Sequence, residues 1–329
     1  MKKNILAVAI AGAMAAPLAA NASAPTLYGQ MNVAIDSVTD NGSAFVNRNS
    51  RLGVKGSEDL GNGLKAVYQL ETTLEMANTG SNGWGALRNT FVGVSGGFGT
   101  VIAGRHDTPL RMIQPNDRFN DSAYLGNNTG RFGGFNTPDV NVSGEDRLDN
   151  MVAYLSPNMN GFQVMFGGIT DADNKNDQQL GNAYSAAVQY GSKRNGLYAA
   201  VGLTQRTDKL DTNEQQNTRA TVQYADSGLV VSAMYNGVTF KNTGDSNAFT
   251  LGAMYTMGDF TPRAKVAFVD YAKDFNRKDA TNYALGLDYA LGKKTRTFVE
   301  YGVLDKNNLA GVSDAKSTDV FTVGLAHSF

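Results

Sequence analysis

Residues 319–329 read Asp-Val-Phe-Thr-Val-Gly-Leu-Ala-His-Ser-Phe, and apolar and polar side chains alternate along them. The large apolar members are Phe321, Val323, Leu325 and Phe329. The residues between them are small or polar. A period of two predicts a β-strand with one apolar and one polar face. We expect this strand to pair with a neighbour and its apolar face to point outward, with Phe329 in an interfacial belt of aromatic residues.

The same alternation recurs from end to end, for example over residues 27–36, 162–167, 184–190, 219–224, 249–255 and 283–289. Several of these segments end in a tyrosine directly before a short turn. These tyrosines are Tyr154, Tyr190, Tyr224, Tyr255 and Tyr289. The regular spacing of these tyrosines along the chain also suits the repeat of a helical solenoid. The alternation of apolar and polar residues and the many glycines favour strand pairs. We therefore predict a ring of tyrosines at one membrane interface.

Short turns and longer polar segments alternate along the chain. Seven short turns and eight longer segments separate sixteen predicted strands, which places both termini at the turn end. An even number of strands with short turns on one side and long loops on the other is typical of outer-membrane barrels. The alternative is a soluble all-β sandwich, which needs one continuous apolar core. The predicted fold is all-β, a 16-stranded antiparallel transmembrane β-barrel.

The N-terminus has the pattern of an export signal. Met-Lys-Lys-Asn precedes an uncharged run from Ile5 to Ala20, and small residues follow it. The pattern predicts a signal peptide over residues 1–22, cleaved after Ala22, and a single barrel domain over residues 23–329. Loss of Lys2 and Lys3 leaves 27 basic residues against 30 acidic ones. This balance gives no reason to expect nucleic acid as a partner.

The composition also bears on covalent links and metal sites. The chain has no cysteine and only two histidines, which lie far apart in sequence. Disulfides and thiolate metal sites are therefore excluded, and a histidine-rich metal site is disfavoured. For the acidic run over residues 171–177 two interpretations stay open, a divalent-cation site or a solvated loop.

The longest segment without a convincing strand runs from Asp107 to Asp146. A loop of this length in a compact domain is usually functional or disordered, and its apolar residues need a surface on which to pack. We predict that it folds into the lumen and sets its acids opposite a basic wall, because charge clusters govern ion selectivity in pores. The predicted loop acids are Asp117, Asp121, Asp139 and Glu145. The predicted wall residues are Arg51, Lys55, Arg88, Arg105 and Arg147.

Enzymatic patterns are weak in this chain. No serine lies in a Gly-x-Ser-x-Gly elbow and no His-Glu-x-x-His pattern occurs,. The sequence therefore predicts no catalytic residue, no cofactor and no metal.

Five segments together resemble the general diffusion porins of Gram-negative bacteria, most closely the β-proteobacterial and neisserial type. These segments are 26–29, 50–71, 91–100, 104–109 and 323–329. The resemblance implies a 16-stranded barrel, a homotrimer, a third external loop folded into the pore, and passive diffusion of ions and small hydrophilic solutes. It places basic constriction residues at Arg51, Arg88 and Arg147, and an outer-membrane assembly signal at Phe329. The implied partners are outer-membrane lipid, lipopolysaccharide and the barrel-assembly machinery.

The wall residues suggest a weak anion preference, which the loop acids would oppose. Two other functions stay open. The first is a substrate-specific channel for sugars, phosphate or organic acids. The second is an outer-membrane enzyme or adhesin, which would conduct no ions.

Overall fold

The structure is a computed structural model. It describes residues 24–77, 83–126, 144–169, 183–206, 215–240, 244–271, 278–308 and 317–329, and the backbone of 135–136 and 141–142. The predicted signal peptide, Asp139 and the acidic run 171–177 lie outside the described residues.

Strands make up most of the described chain. They are β1 (Thr26–Val38), β2 (Gly42–Asn47), β3 (Arg51–Gly61), β4 (Leu64–Leu74), β5 (Trp84–Leu87), β6 (Thr90–Gly96), β7 (Gly99–Asp107), β8 (Phe135–Asn136), β9 (Asn141–Val142), β10 (Arg147–Leu155), β11 (Phe162–Ile169), β12 (Ala183–Gly191), β13 (Gly196–Arg206), β14 (Gln215–Asp226), β15 (Leu229–Phe240), β16 (Gly244–Tyr255), β17 (Phe260–Asp270), β18 (Ala280–Gly292), β19 (Thr295–Leu304) and β20 (Thr318–Ser328). A one-turn α-helix, α1, covers Pro109–Met112, and a 3-10 helix covers Lys306–Asn308. Among the described residues, no helix is long and apolar enough to cross a membrane.

Each strand of the main sheet pairs antiparallel with its neighbours, and the sheet closes on itself. β1 pairs with β20 on one side and with both β2 and β3 on the other. β2 and β3 are therefore two halves of one barrel strand, and β5 and β6 divide another in the same way along β4. The eighteen segments of the sheet thus form sixteen barrel strands. The predicted number and the antiparallel order are confirmed.

The two faces of the barrel reverse the usual arrangement of a soluble protein. Large apolar side chains are exposed on the outside, for example Leu27, Val222 and Leu285. Many polar and charged side chains are buried inside. A sheet with this distribution buries little hydrocarbon in its own interior, so its stable solvent is lipid on the outer face. The soluble sandwich is thereby excluded.

The predicted tyrosine ring lies at the end of the barrel that carries the short turns. Its five members are exposed on the outer face. Two of them contact a phenylalanine on the neighbouring strand, with ring centroids 4.8 Å apart for Tyr190 and Phe162 and 4.9 Å apart for Tyr289 and Phe260. Amphipathic aromatic rings at this depth match the girdle of a membrane interface. One of the two-residue turns, Ser227-Gly228, joins β14 to β15 with positive φ at both residues, as a type I′ hairpin requires.

Phe329 and Gly29 meet where the barrel closes. Their backbones exchange two hydrogen bonds, with N–O distances of 3.1 and 3.3 Å. The phenylalanine ring covers the glycine, so a Cβ at position 29 would come within 2.3 Å of the ring atom Cζ and within 2.7 Å of the Arg51 carbonyl oxygen. Only glycine fits here, because the backbone oxygen cannot move without disturbing the ladder.

We expect Gly29→Ala to destabilise the barrel by about 1–3 kcal/mol, because the added methyl group overpacks the seam. The measurement is the temperature at which the folded barrel converts to the unfolded form on a gel in sodium dodecyl sulfate. Gly97→Ala is the matched control, since a Cβ at position 97 meets no atom within 4 Å. Equal conversion temperatures for the two variants would contradict the role given to this contact.

Candidate pore constriction

The segment after β7 runs along the inner wall of the barrel over residues 108–126. Its first part is α1, where the Thr108 hydroxyl accepts a hydrogen bond from the Arg111 amide at 3.2 Å. Leu110 and Ile113 are buried there against residues of β11, β12 and β13. These wall residues are Met165, Ala187, Tyr198 and Ala200. Apolar burial therefore fixes the first part of the loop to the wall.

The second part of this segment packs on the opposite side of the barrel. Phe119 and Leu125 are buried against inward residues of β1 and β17–β20. Leu125 lies so close to β19 that a Cβ on Gly302 would come within 2.4 Å of the Leu125 atom Cδ2. Residues 108–126 therefore pack on inward-facing wall residues at both of these places.

A buried ion pair ties the returning end of the loop to the wall. Glu145 Oε1 lies 2.6 Å from Arg219 Nη2 on β14, and neither side chain has exposed surface. Arg219 also donates to the Leu110 carbonyl at 3.2 Å and to Asn236 at 2.7 Å. The Arg219 guanidinium therefore connects Leu110, near the start of the loop, and Glu145, near its end, to β14.

Lys193 holds the loop from the short-turn end. Its Nζ donates to the Met112 carbonyl at 2.7 Å, while its own carbonyl accepts from Asn116 at 2.8 Å and from Gln223 at 2.7 Å. Burial, with a smaller contribution from Arg219, lowers the pKa of Lys193 to about 8. The turn between β12 and β13 thus fixes how far the loop extends toward the short-turn end of the barrel.

Most of the predicted wall residues face the lumen. Arg51 and Lys55 lie on β3 opposite Gln30 and Thr26, on the side away from exposed Leu27. Arg88 Nε lies 2.6 Å from Glu71 Oε1, and Arg147 Nη2 lies 2.8 Å from Asp107 Oδ1. Glu71 also accepts from the Tyr28 hydroxyl at 2.8 Å, and Asp107 contacts Arg111 at 3.1 Å. Arg88 and Arg147 are therefore each paired with a carboxylate, although Asp107 is shared with Arg111. Within the described residues, Arg51 and Lys55 form no ion pair.

Arg105 does not join this group. It follows Gly104 on β7, beyond exposed Val101 and Ala103. Its guanidinium pairs with the exposed carboxylate of Asp149 at 2.7 Å, near the long-loop end of the barrel. The inward position of Arg105 stays a prediction, because Gly104, with φ of +140°, interrupts the alternation of β7 directly before it.

Each loop acid that the structure describes forms an ion pair or hydrogen bonds with residues of the barrel wall. Asp117 Oδ2 lies 2.7 Å from Lys265 Nζ on β17, and Glu145 pairs with Arg219 as above. Asp121 accepts from the amides of Asn32 at 3.3 Å and Asn49 at 3.2 Å. Asp117 and Glu145 therefore anchor the loop to the wall. Of the three described loop acids, Asp121 is left to act as the negative charge opposite the wall arginines.

A second group of charges was not predicted. Arg48, Arg263, Asp288 and Glu300 form a buried network on the wall made by β17–β20. The sequence marks members of this network by a charged residue between two outward apolar ones, as in Leu287-Asp288-Tyr289 and Val299-Glu300-Tyr301. That position points into the lumen, where a charge is solvated or paired.

Comparison with known proteins agrees with this architecture. Residues 6–309 match the family described as Gram-negative porin. The chain belongs to this family. The porin is 32% identical over 366 residues to the major outer membrane protein P.IB of Neisseria meningitidis serogroup B, with both chains covered in full.

Two solved structures share the fold of the porin. It superposes with a TM-score of 0.73 on the anion-selective porin from Comamonas acidovorans, at 23% identity, with 94% of this chain and 100% of the other covered. It superposes with a TM-score of 0.67 on a trimer form of OmpT from Vibrio cholerae, at 18% identity and with 93% and 99% covered. The protein is accordingly an outer-membrane porin, a water-filled barrel for passive diffusion of ions and small hydrophilic solutes.

We expect Arg219→Gln to release the loop, because it leaves the buried Glu145 carboxylate without its charged partner, at a cost of about 3–5 kcal/mol. Hydrogen exchange of residues 109–126 should become faster in this variant. Arg206→Gln is the control, since its pair with Asp146 at 2.8 Å is solvent-exposed and contributes about 0–1 kcal/mol. Unchanged exchange in Arg219→Gln would show that apolar packing alone holds the loop.

The lowered pKa of Lys193 predicts a pH dependence of stability. The folded protein binds this proton less tightly than the unfolded chain, so the contribution of Lys193 to the free energy of unfolding rises between pH about 8 and the ordinary pKa of 10.5,. Relative to Lys193→Met, the thermal stability of the parent protein should therefore increase over this range. A constant difference between the two proteins across it would contradict the assignment.

Proposed function

We propose that this porin is a general diffusion channel with a weak preference for anions, set by Arg51 and Lys55. The supporting observation is that these two cations face the lumen without an acidic partner among the described residues, whereas Arg88 and Arg147 are each paired. Unpaired charges at a narrow passage attract ions of opposite sign and repel the others.

The described loop acids do not cancel this charge. Asp117 and Glu145 are each paired with a wall cation at 2.7 and 2.6 Å. Asp121 keeps its charge, but the amides of Asn32 and Asn49 contact it. Among the described residues near this wall, one carboxylate without a cationic partner, that of Asp121, stands against two cations without an acidic partner, and this positive balance supports a weak preference. Asp139 stays a further candidate acid in this proposal.

The proposal includes a homotrimer. An apolar band on the outer face crosses the seam of the barrel, where β1 and β20 pair. It consists of Leu27, Met31, Ile35, Phe321 and Val323, all exposed. The trimer form of the similarly folded OmpT from Vibrio cholerae supports this assembly. We further propose export through the signal peptide 1–22, folding of residues 23–329 as one barrel, and recognition of Phe329 during assembly in the lipopolysaccharide-containing outer membrane.

The proposed channel works without turnover or cofactor. Membership of the porin family supports passive transport, and the cavity inside the barrel serves diffusion. The alternatives, an enzyme or an adhesin, would give no current across a planar bilayer.

We expect Arg51→Gln and Lys55→Gln each to lower the chloride-to-potassium permeability ratio by about two- to threefold, because each removes one partly solvated charge. The reversal potential in a potassium chloride gradient measures this ratio, and low salt is needed because screening weakens the effect. Arg105→Gln is the control, because this guanidinium is paired with Asp149 at 2.7 Å, and it should leave the potential unchanged. Current steps with an unshifted potential in both lumen variants would overturn the selectivity residues. Absence of current steps in the parent protein would overturn the channel itself.

A further inference from the structure

A second charged site lies below the loop, on the β17–β20 side of the lumen. The lumen there widens into a cavity of about 470 Å³ at the short-turn end of the barrel. The loop contributes Asp117, Arg118 and Asp121 to its lining, and the turn between β18 and β19 contributes Lys293 and Lys294. Arg296 at the start of β19 lies between these two parts.

A chain of alternating charges leads from the barrel wall to this cavity. It begins at Asp36, whose Oδ1 lies 2.7 Å from Arg48 Nη2. Arg48 Nη1 lies 2.6 Å from Glu300 Oε2, and Glu300 Oε1 lies 2.9 Å from Arg263 Nη2. Arg263 then contacts Asp288 at 2.9 Å. Each carboxylate up to this point lies between or beside buried guanidiniums.

The chain ends in two arginines that share one carboxylate. Asp288 accepts Arg118 Nη1 on Oδ2 at 2.6 Å and lies 3.2 Å from Arg296 Nη1 through Oδ1. Four guanidiniums therefore share three carboxylates, those of Asp36, Glu300 and Asp288, which leaves one positive charge in excess. The side chains of Arg48 and Arg263 are 2% exposed, whereas those of Arg118 and Arg296 are 39% and 24% exposed. The excess charge is consequently accessible only at the cavity.

We propose that this cavity binds a small doubly charged oxyanion, of the phosphate or dicarboxylate class, between Arg118 and Arg296. Guanidinium groups match two oxygens of such an anion through paired N–H donors. Lys293 and Lys294 add positive charge at the rim, while Asp259 in a neighbouring turn and Asp121 on the loop oppose it. Asp121 is contacted by Asn32 and Asn49 from the β1 and β3 side, so we place the anion toward β19.

Aromatic stacking prepares this site. The Phe298 ring contacts both Arg48 and Arg296, with their Cζ atoms 5.5 and 4.7 Å from its centroid. Such stacking fixes a guanidinium plane before any ligand arrives and reduces the entropy lost on binding. The site rests on the proposed function, because a solute reaches it only through an open channel.

The test is block of the potassium chloride current by inorganic phosphate, with succinate in a parallel series to distinguish the two classes of anion. We expect the current through the parent protein to fall to a plateau as either anion is added. Arg118→Gln combined with Arg296→Gln should raise the half-blocking concentration by about tenfold or more, because two charged contacts are lost. Arg296→Lys should keep part of the block, since it retains the charge without the planar fork.

Two further variants separate binding from a structural effect. Arg296→Gln alone leaves the loop contact between Arg118 and Asp288 in place and should still raise the half-blocking concentration. Arg206→Gln removes an exposed arginine of the lumen from its pair with Asp146 and should not change it. A decrease of current without a plateau, or an equal change in Arg206→Gln, would overturn the site while leaving the channel intact. A parent protein without current would instead overturn the proposed function.

Discussion

The structure depends on satisfying every backbone hydrogen bond within the sheet. Lipid supplies neither donors nor acceptors, so an open edge in the membrane would leave a row of unpaired groups, each costing several kcal/mol. The pairing of β1 with β20 removes that edge, and the exchange of hydrogen bonds between Gly29 and Phe329 extends the closure to the end of the last strand. The even number of strands follows from this closure together with the antiparallel order.

A closed sheet of sixteen strands encloses more space than its own side chains fill, and this explains the polarity of the interior. Water occupies the lumen, so charges there are tolerated where they are solvated or paired. The inserted loop changes the balance locally, because it covers part of the wall and removes water from it. Arg219, Glu145 and Lys265 become buried in this way, and each needs a partner because an unpaired buried charge is costly. Asp117 and Glu145 therefore hold the loop to the wall, and in the described part of the chain Arg51 and Lys55 stay without an acidic partner.

Much of the architecture was predictable because strand alternation is a local property. The tyrosine ring, the sixteen strands and the inward position of Arg51 and Lys55 all follow from counting positions two apart. The count is interrupted at β7, where Gly104 has a positive φ directly before Arg105. It also did not reveal which charges pair. Asp36 and Arg48 are near in sequence, but Glu300 and Arg263 reach them only through closure of the barrel.

The amino-acid order by itself determined that the chain forms a barrel with an apolar outer face, a polar lumen and one long segment between β7 and β10. These properties depend on the period of two and on turn residues, which neighbours in sequence decide. The tertiary structure alone decided which carboxylates anchor the loop, which cations stay free and where a surplus of positive charge collects. Those outcomes depend on distances between strands far apart in the chain, because the energy of a charge depends on its partner and on its access to water.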